Sequence, residues 1–206
     1  MPVSDFRNIQ VFIRKLGRPV FTTHELTAIS GRSSSTVVQS LNRLVRQNLL
    51  IKPYRGVWAE RGRGEVSAFT LIPHVFARQR VYVSFLTALH LHGIVEQIPQ
   101  VITLASLSHS RTVKTALAVY SVHQVAPDIF CGFEWDKGQG AFLVAEPEKA
   151  LIDSLYLSSR RKRQFAHFPE LHFPAEFSFR KAMEWIKLIP EANIRQYVLR
   201  KLDALQ

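Results

Sequence analysis

"SSSTVVQSLNRLVRQNLL" occupies residues 33–50, and what its polar side faces decides how the chain is read. At ~100° per residue, Val37, Leu41, Leu44, Val45 and Asn48 gather within about a quarter turn, the stripe of an amphipathic helix. The opposite side carries Ser35, Gln39, Asn42, Arg43 and Arg46, without one carboxylate. A solvated helix face usually mixes signs, because i,i+4 acid–base pairs add stability. A face of cations, amides and a hydroxyl suits a polyanion.

Upstream, the spacing predicts a helix over Asp5 to Leu16, with Phe6, Ile9, Phe12, Ile13 and Leu16 on one side and Gly17 stopping it. In "RPVFTTHELTAIS", Thr22 or Thr23 caps a short second helix, and Thr22 with Glu25 fits a capping box. Gly31 breaks the chain before the third helix starts among Ser33, Ser34 and Ser35, all good caps. Short helix, glycine-containing turn and longer amphipathic helix form a helix-turn-helix plan.

Downstream, "NLLIKPYRGVWAERGRG" reads as a hairpin. Leu49 and Ile51 alternate, Pro53 to Gly56 turn, and Val57 with Trp58 resume the strand. Together with the helices this is the outline of a winged helix-turn-helix. In that arrangement the third helix enters the major groove of DNA. Ser33, Ser34, Ser35 and Thr36 then lie at its N-terminal end, suited to phosphate, with Ser35 and Thr36 also turned toward bases. Gln39 suits adenine and Arg43 suits guanine, with Asn42 on the same face. Arg32 and Arg46 are placed for the backbone, and Lys52, Arg55, Arg61 and Arg63 line the wing for phosphate or minor-groove contact.

The charge has the same polarity. The 206 residues carry a net charge of +11. Residues 1–80 hold 13 Lys/Arg against 4 Asp/Glu, a balance of +9; residues 81–206 hold 14 against 12, a balance of +2. An excess concentrated in one part of the chain argues for a nucleic-acid partner there. With 47% hydrophobic residues the chain can build a core. No stretch approaches the ~18 apolar residues of a membrane helix, and the start lacks a secretory signal. One cysteine, Cys131, excludes an intrachain disulfide framework. A soluble cytoplasmic protein is expected.

The rest reads as α+β. "IPHVFARQR" has no pattern and looks like a connector. A helix is expected from Ser84 to His92, stopped by Gly93. "QVITLAS" is a buried-type strand, and "SRTVKTALAVYSVHQV" holds a further run of alternation. "IFCGFEW" and "AFLVA" pair across "DKGQG". "EPEKALIDSLYL" is a helix with Pro147 in its first turn, and "SFRKAMEWIKLI" and "NIRQYVLRKLDAL" are closing helices separated by Pro190. The expected architecture is a winged helix-turn-helix over 1–75, then a mixed α/β domain over 76–206 with a small, mostly antiparallel sheet flanked by helices.

"YVSFLTALHLHG" from Tyr82 to Gly93, "VITLAS" with Arg111 beyond it, "VAEPEKALIDSLYL" from Val144 to Leu157, and "RGVW" at Arg55–Trp58 resemble the AbiEi-type regulators. These are antitoxin components of type IV toxin–antitoxin systems and transcriptional regulators of phage defence. The resemblance covers about residues 8 to 160. It implies a repressor of its own operon that binds inverted repeats in double-stranded DNA through the winged helix, often cooperatively; a homodimer on the DNA is a separate expectation. It also implies a C-terminal domain for antitoxicity, with a nucleotidyltransferase-like toxin as functional partner. The last 45 residues match nothing in that family, and the two closing helices suit dimerisation or docking. Two other readings stand beside it: a stand-alone regulator sensing a ligand or partner, and a metal-dependent nuclease of mobile-element defence.

For a nuclease the candidate acids are Asp128, Glu134, Asp136, Glu146, Glu148 and Asp153. Glu148 and Lys149 are adjacent, without the strand-borne spacing that would aim both inward. Glu146 and Glu148 at a helix N-terminus are better explained as dipole partners, and Asp153, among Leu151, Ile152 and Leu155, as a structural hydrogen-bonding group. His90 and His92 lie about 200° apart on a helix, and His109, His123, His167 and His172 follow no ligand spacing. No Walker A loop, G-x-G-x-x-G or G-x-S-x-G occurs. No enzyme activity, cofactor or metal is expected, and Cys131 reads as an inert core thiol in an apolar strand. The run Arg160 to Arg163 is either a solvated loop after a helix or a second phosphate contact.

Overall fold

Gly17 and Gly31 end the first two helices at positive φ, +68° and +64°, where a side chain is disfavoured. The computed structural model describes residues 9–62, 66–138, 142–160 and 169–205. Among these the protein is mixed α+β, with eight α-helices and two sheets, and no helix is long and apolar enough to cross a membrane. It divides into two compact units, residues up to Ala77 with Thr115–Leu117, and 78–114 with the chain from Ala118 on.

In the first unit α1 (Ile9–Leu16) buries Ile9, Phe12 and Ile13; residues 5–8 of the expected helix lie outside the described residues. Val20–Thr22 is a strand, β1, where the sequence suggested only an approach to a helix. α2 (Thr23–Ser30) starts in the expected capping box: the Glu25 N–H donates to Thr22 Oγ1 at 3.2 Å, and the Thr22 N–H donates to the Glu25 carboxylate at 2.7 Å. Ser33 caps α3 (Ser34–Arg46), which turns Val37, Leu41 and Leu44 inward. Asn48 does not continue that stripe. It is exposed at φ +58°, in a left-handed turn that asparagine tolerates.

β2 (Leu50–Tyr54) and β3 (Val57–Glu60) follow, and the sheet runs β1-β3-β2, antiparallel throughout. The expected register is corrected by one residue: Leu50 is 3% exposed and Leu49 is 47% exposed. The turn is also shorter than expected. Pro53 and Tyr54 stay in β2, and Arg55-Gly56 turn the chain with Gly56 at φ +76°. Pro53 is tolerated because β2 is an edge strand whose register breaks between Ile51 and Tyr54; its carbonyl accepts from the Ala116 N–H at 2.9 Å. Phe12, Phe21, Leu26, Leu41 and Trp58 share one core cluster. Full burial of a side chain like Phe21 is worth about 1.5–3 kcal/mol. Trp58 keeps its indole N–H satisfied by donating to Thr23 Oγ1 at 2.8 Å. Beyond β3, Leu71 and α4 (Ile72–Val75) pack on the sheet where a patternless connector was expected.

The capping box extends outward, since Arg18 pairs with the Glu25 carboxylate. Burial opposes ionisation of Glu25, but the Thr22 N–H and hydroxyl, Arg18 and His74 together hold its carboxyl below the ordinary range. A depressed carboxyl stabilises the fold above its unfolded value, about 4.3, and that stability disappears as pH falls through the lower folded value. Urea unfolding should therefore show an acid limb beginning near that pH, flattened in Glu25→Gln. Thr22→Ala should cost about 1 kcal/mol at neutral pH.

The second unit opens with β4 (Val81–Val83), which leads through Ser84 into α5 (Phe85–Leu91). β5 (Ile102–Ser106) is buried along its length. The next alternating run is two strands, β6 (Arg111–Lys114) and β7 (Val119–Gln124). β8 (Phe133–Trp135) and β9 (Leu143–Ala145) form the expected hairpin. α6 (Pro147–Ser159), α7 (Phe179–Lys187) and α8 (Ala192–Asp203) complete it. The sheet order is β6-β7-β5-β4-β9-β8. It is more mixed than expected, because β7 returns from β6 to lie parallel beside β5, and β9 lies parallel beside β4. The remaining pairs are antiparallel.

Candidate functional site

α3 presents its polar side to solvent. Ser34, Ser35, Thr36, Gln39, Arg43 and Arg46 are exposed, and Asn42 is half-buried. Ser33 is committed locally. Its Oγ accepts from the Thr36 N–H at 3.2 Å and lies 2.9 Å from Ser35 Oγ and 2.8 Å from Thr36 Oγ1. That hydroxyl chain closes the helix start, so Ser33 acts first as a cap. Arg32, half-buried, lays its guanidinium 5.7 Å over the Phe12 ring.

On the hairpin, Lys52 is exposed with its ammonium 4.9 Å over the Trp58 ring. Arg55 sits in the turn and Arg61 just past β3, both exposed; Arg63 lies outside the described residues. Among the described residues, the side chains of Gln39, Arg43, Arg46, Arg55 and Arg61 have no protein partner. The described part of this unit holds nine Lys/Arg against two Asp/Glu, Glu25 and Glu60. Glu25 is already paired with Arg18. Glu60 shares a surface pocket with Arg14 and Arg61. Among the described residues the exposed cations thus outnumber the acids near them, and what the excess offers chemically is contact with an external anion.

The second unit holds a polar cluster of another kind. Asp153 and Lys149, one helical turn apart on α6, form an ion pair at 0% and 1% side-chain exposure. Tyr82 and Ser84 donate to Asp153 Oδ2 at 2.9 and 2.7 Å, and Lys149 Nζ donates to the Tyr82 hydroxyl at 3.2 Å. Burial first, and then the neighbouring Asp153, push the Tyr82 phenol well above its ordinary value, which keeps it a donor. Asp153 has the structural role expected of it. Lys149 is the residue that sequence reasoning missed here, although its i,i+4 spacing to Asp153 is a visible signal.

Glu146 occupies the N-cap position of α6 without a side-chain cap bond, and Glu148 lies in its first turn, where the sequence placed dipole partners. Both also reach Lys181 of α7, at 2.9 and 3.5 Å, and the Ser178 N–H donates to Glu148 Oε1 at 3.0 Å. α7 closes further on Gly132, where a Cβ would lie 2.9 Å from the Trp185 ring. Cys131 is half-buried just before β8 rather than within a strand, and burial raises its thiol pKa, which disfavours the thiolate. His90 donates to the Val95 carbonyl at 3.0 Å and His92 to the Ala145 carbonyl at 2.7 Å. No three His, Cys, Asp or Glu converge as for a metal among the described residues. Arg160 contacts the Tyr156 hydroxyl and Glu191; Arg161 to Arg163 lie outside the described residues.

No known family's sequence profile matches the chain, and no curated protein is significantly similar to it.

Proposed function

We propose that the first unit is a winged helix-turn-helix that binds double-stranded DNA, with α3 in the major groove and the β2–β3 hairpin as the wing. The observation that carries this reading is the set of exposed, unpartnered groups on one face of α3, Gln39, Arg43 and Arg46. Arg55 and Arg61 on the hairpin add cations whose side chains have no partner among the described residues. Phosphate contacts supply affinity and base edges supply sequence preference, and both kinds of group are present. On the resemblance to AbiEi-type regulators, the chain is an autoregulating transcriptional repressor and the antitoxin of a type IV system. Its second unit then serves antitoxicity, and no catalysis is assigned to it.

The test is binding of the purified chain to the DNA upstream of its own gene and to an unrelated duplex of equal length. At two salt concentrations, the expected result is tighter binding to the upstream DNA and a logarithmic salt slope of several units, about −0.9 per phosphate neutralised. Equal weak binding to both duplexes would refute sequence-specific repression. Rescue of growth on co-expression with a nucleotidyltransferase-like toxin of the type the resemblance implies would test the antitoxin reading separately.

A further inference from the structure

The second unit holds a pocket of about 270 Å3 that the reading above does not use. Leu86, Val95, Pro99 and Val101 give it apolar walls, and Gln97 and Gln100 bring amides to it. Thr103 and Pro169 complete the lining. Among the described residues no ionisable side chain lines it, although the chain carries a net charge of +11. A charged occupant would lose its hydration there with no counter-charge to replace it.

The two glutamines differ from the other polar group present. The Thr103 hydroxyl is committed to the Ser84 carbonyl and the Thr87 hydroxyl. The Gln97 and Gln100 side chains are exposed and have no hydrogen-bond partner among the described residues. Each amide offers both donors and an acceptor. A few polar groups on an apolar pocket are the general pattern of small-molecule sites. A dry cavity of about 150 Å3 takes benzene, so the larger volume here leaves room for a fused bicyclic ring.

We propose that this pocket binds a small, neutral, bicyclic molecule whose edge carries adjacent N–H and C=O groups. Its rings lie against Leu86, Val95, Pro99 and Val101, and its amide edge pairs with Gln97 and Gln100. The inference stands whether or not the first unit binds DNA, because it is tested without DNA.

Calorimetric titration of the full chain should use quinolin-2-one, indole and quinoline-2-carboxylate. Quinolin-2-one should bind saturably and at least tenfold more tightly than the carboxylate. Gln97→Ala/Gln100→Ala should weaken quinolin-2-one tenfold or more and remove its advantage over indole. Val101→Phe, checked by circular dichroism and melting, should abolish binding by filling the pocket. The glutamine variant changes only exposed side chains, so its result decides even if Val101→Phe misfolds. No binding by any probe, equal binding of the carboxylate, or an unchanged glutamine variant would overturn the proposal. So would a second copy in the pocket. Ile98, 70% exposed between Gln97 and Pro99, would then drive concentration-dependent dimers that Ile98→Ser abolishes, with no heat from quinolin-2-one.

Discussion

Replacing Lys149 by methionine should lower the stability of the second unit by about 3–5 kcal/mol, the range for removing one partner of a buried ion pair. The loss is large because the Asp153 carboxylate, with no exposed surface, keeps only Tyr82 and Ser84 as donors. Asp153→Leu should cost a similar amount by leaving the Lys149 ammonium buried with only the Tyr82 hydroxyl. The double variant removes both charges, so it should cost clearly less than the two single changes added together. It does not return to wild type, because Tyr82 and Ser84 lose their acceptor, at about 1–3 kcal/mol for each unsatisfied group. Urea unfolding followed by circular dichroism and tryptophan fluorescence gives the four corners of the cycle. Trp135 and Trp185 report on this unit and Trp58 on the other. A coupling below about 0.5 kcal/mol, the level of ordinary additivity, would show that the pair does not act as one.

That pair also shows where sequence reasoning stops. Asp153 is legible as a structural group because apolar residues flank it in "ALIDSLYL". Lys149 follows Glu148 directly, and weighing that adjacency against a nuclease site draws attention away from the partner one turn along. A buried lysine gives little local signal, since the strand that covers it is far away in sequence: Tyr82 is 67 residues distant. The helices are easier. The Thr22–Glu25 box and the glycine at 31 encode their ends in adjacent residues, and the structure has both. The hairpin register is not encoded so clearly, because Leu49, Leu50 and Ile51 are all apolar and alternation cannot choose among them. α4, at four residues, is too short to show a helical period. The parallel neighbours β5 and β7 come from the order of strands, which no single segment specifies. The polar face of α3 is legible because its own periodicity separates Leu41 from Gln39. Ser33 has the capping role that the sequence offered to it, which engages the same hydroxyl that was also expected to suit phosphate.

On the DNA-binding reading, Gln39→Ala and Arg43→Ala should each remove about 1–3 kcal/mol of preference for the upstream DNA, roughly 5- to 150-fold, while affinity for unrelated DNA changes far less. Both side chains are exposed and unpartnered, so neither change removes a folding interaction. Equal unfolding curves would place the loss in recognition. Arg43 also contributes charge, so its variant should lose some affinity for every duplex as well, and Gln39→Ala should not. Arg55→Ala provides the contrast: a turn residue without a partner among the described residues, it should weaken both duplexes alike and reduce the salt slope by about one. Ser33→Ala would be a poor probe, because its Oγ receives the Thr36 N–H and losing a cap costs about 1 kcal/mol of stability. If Gln39→Ala and Arg43→Ala weaken both duplexes equally, α3 does not read bases, and its cationic side serves only to hold the phosphate backbone.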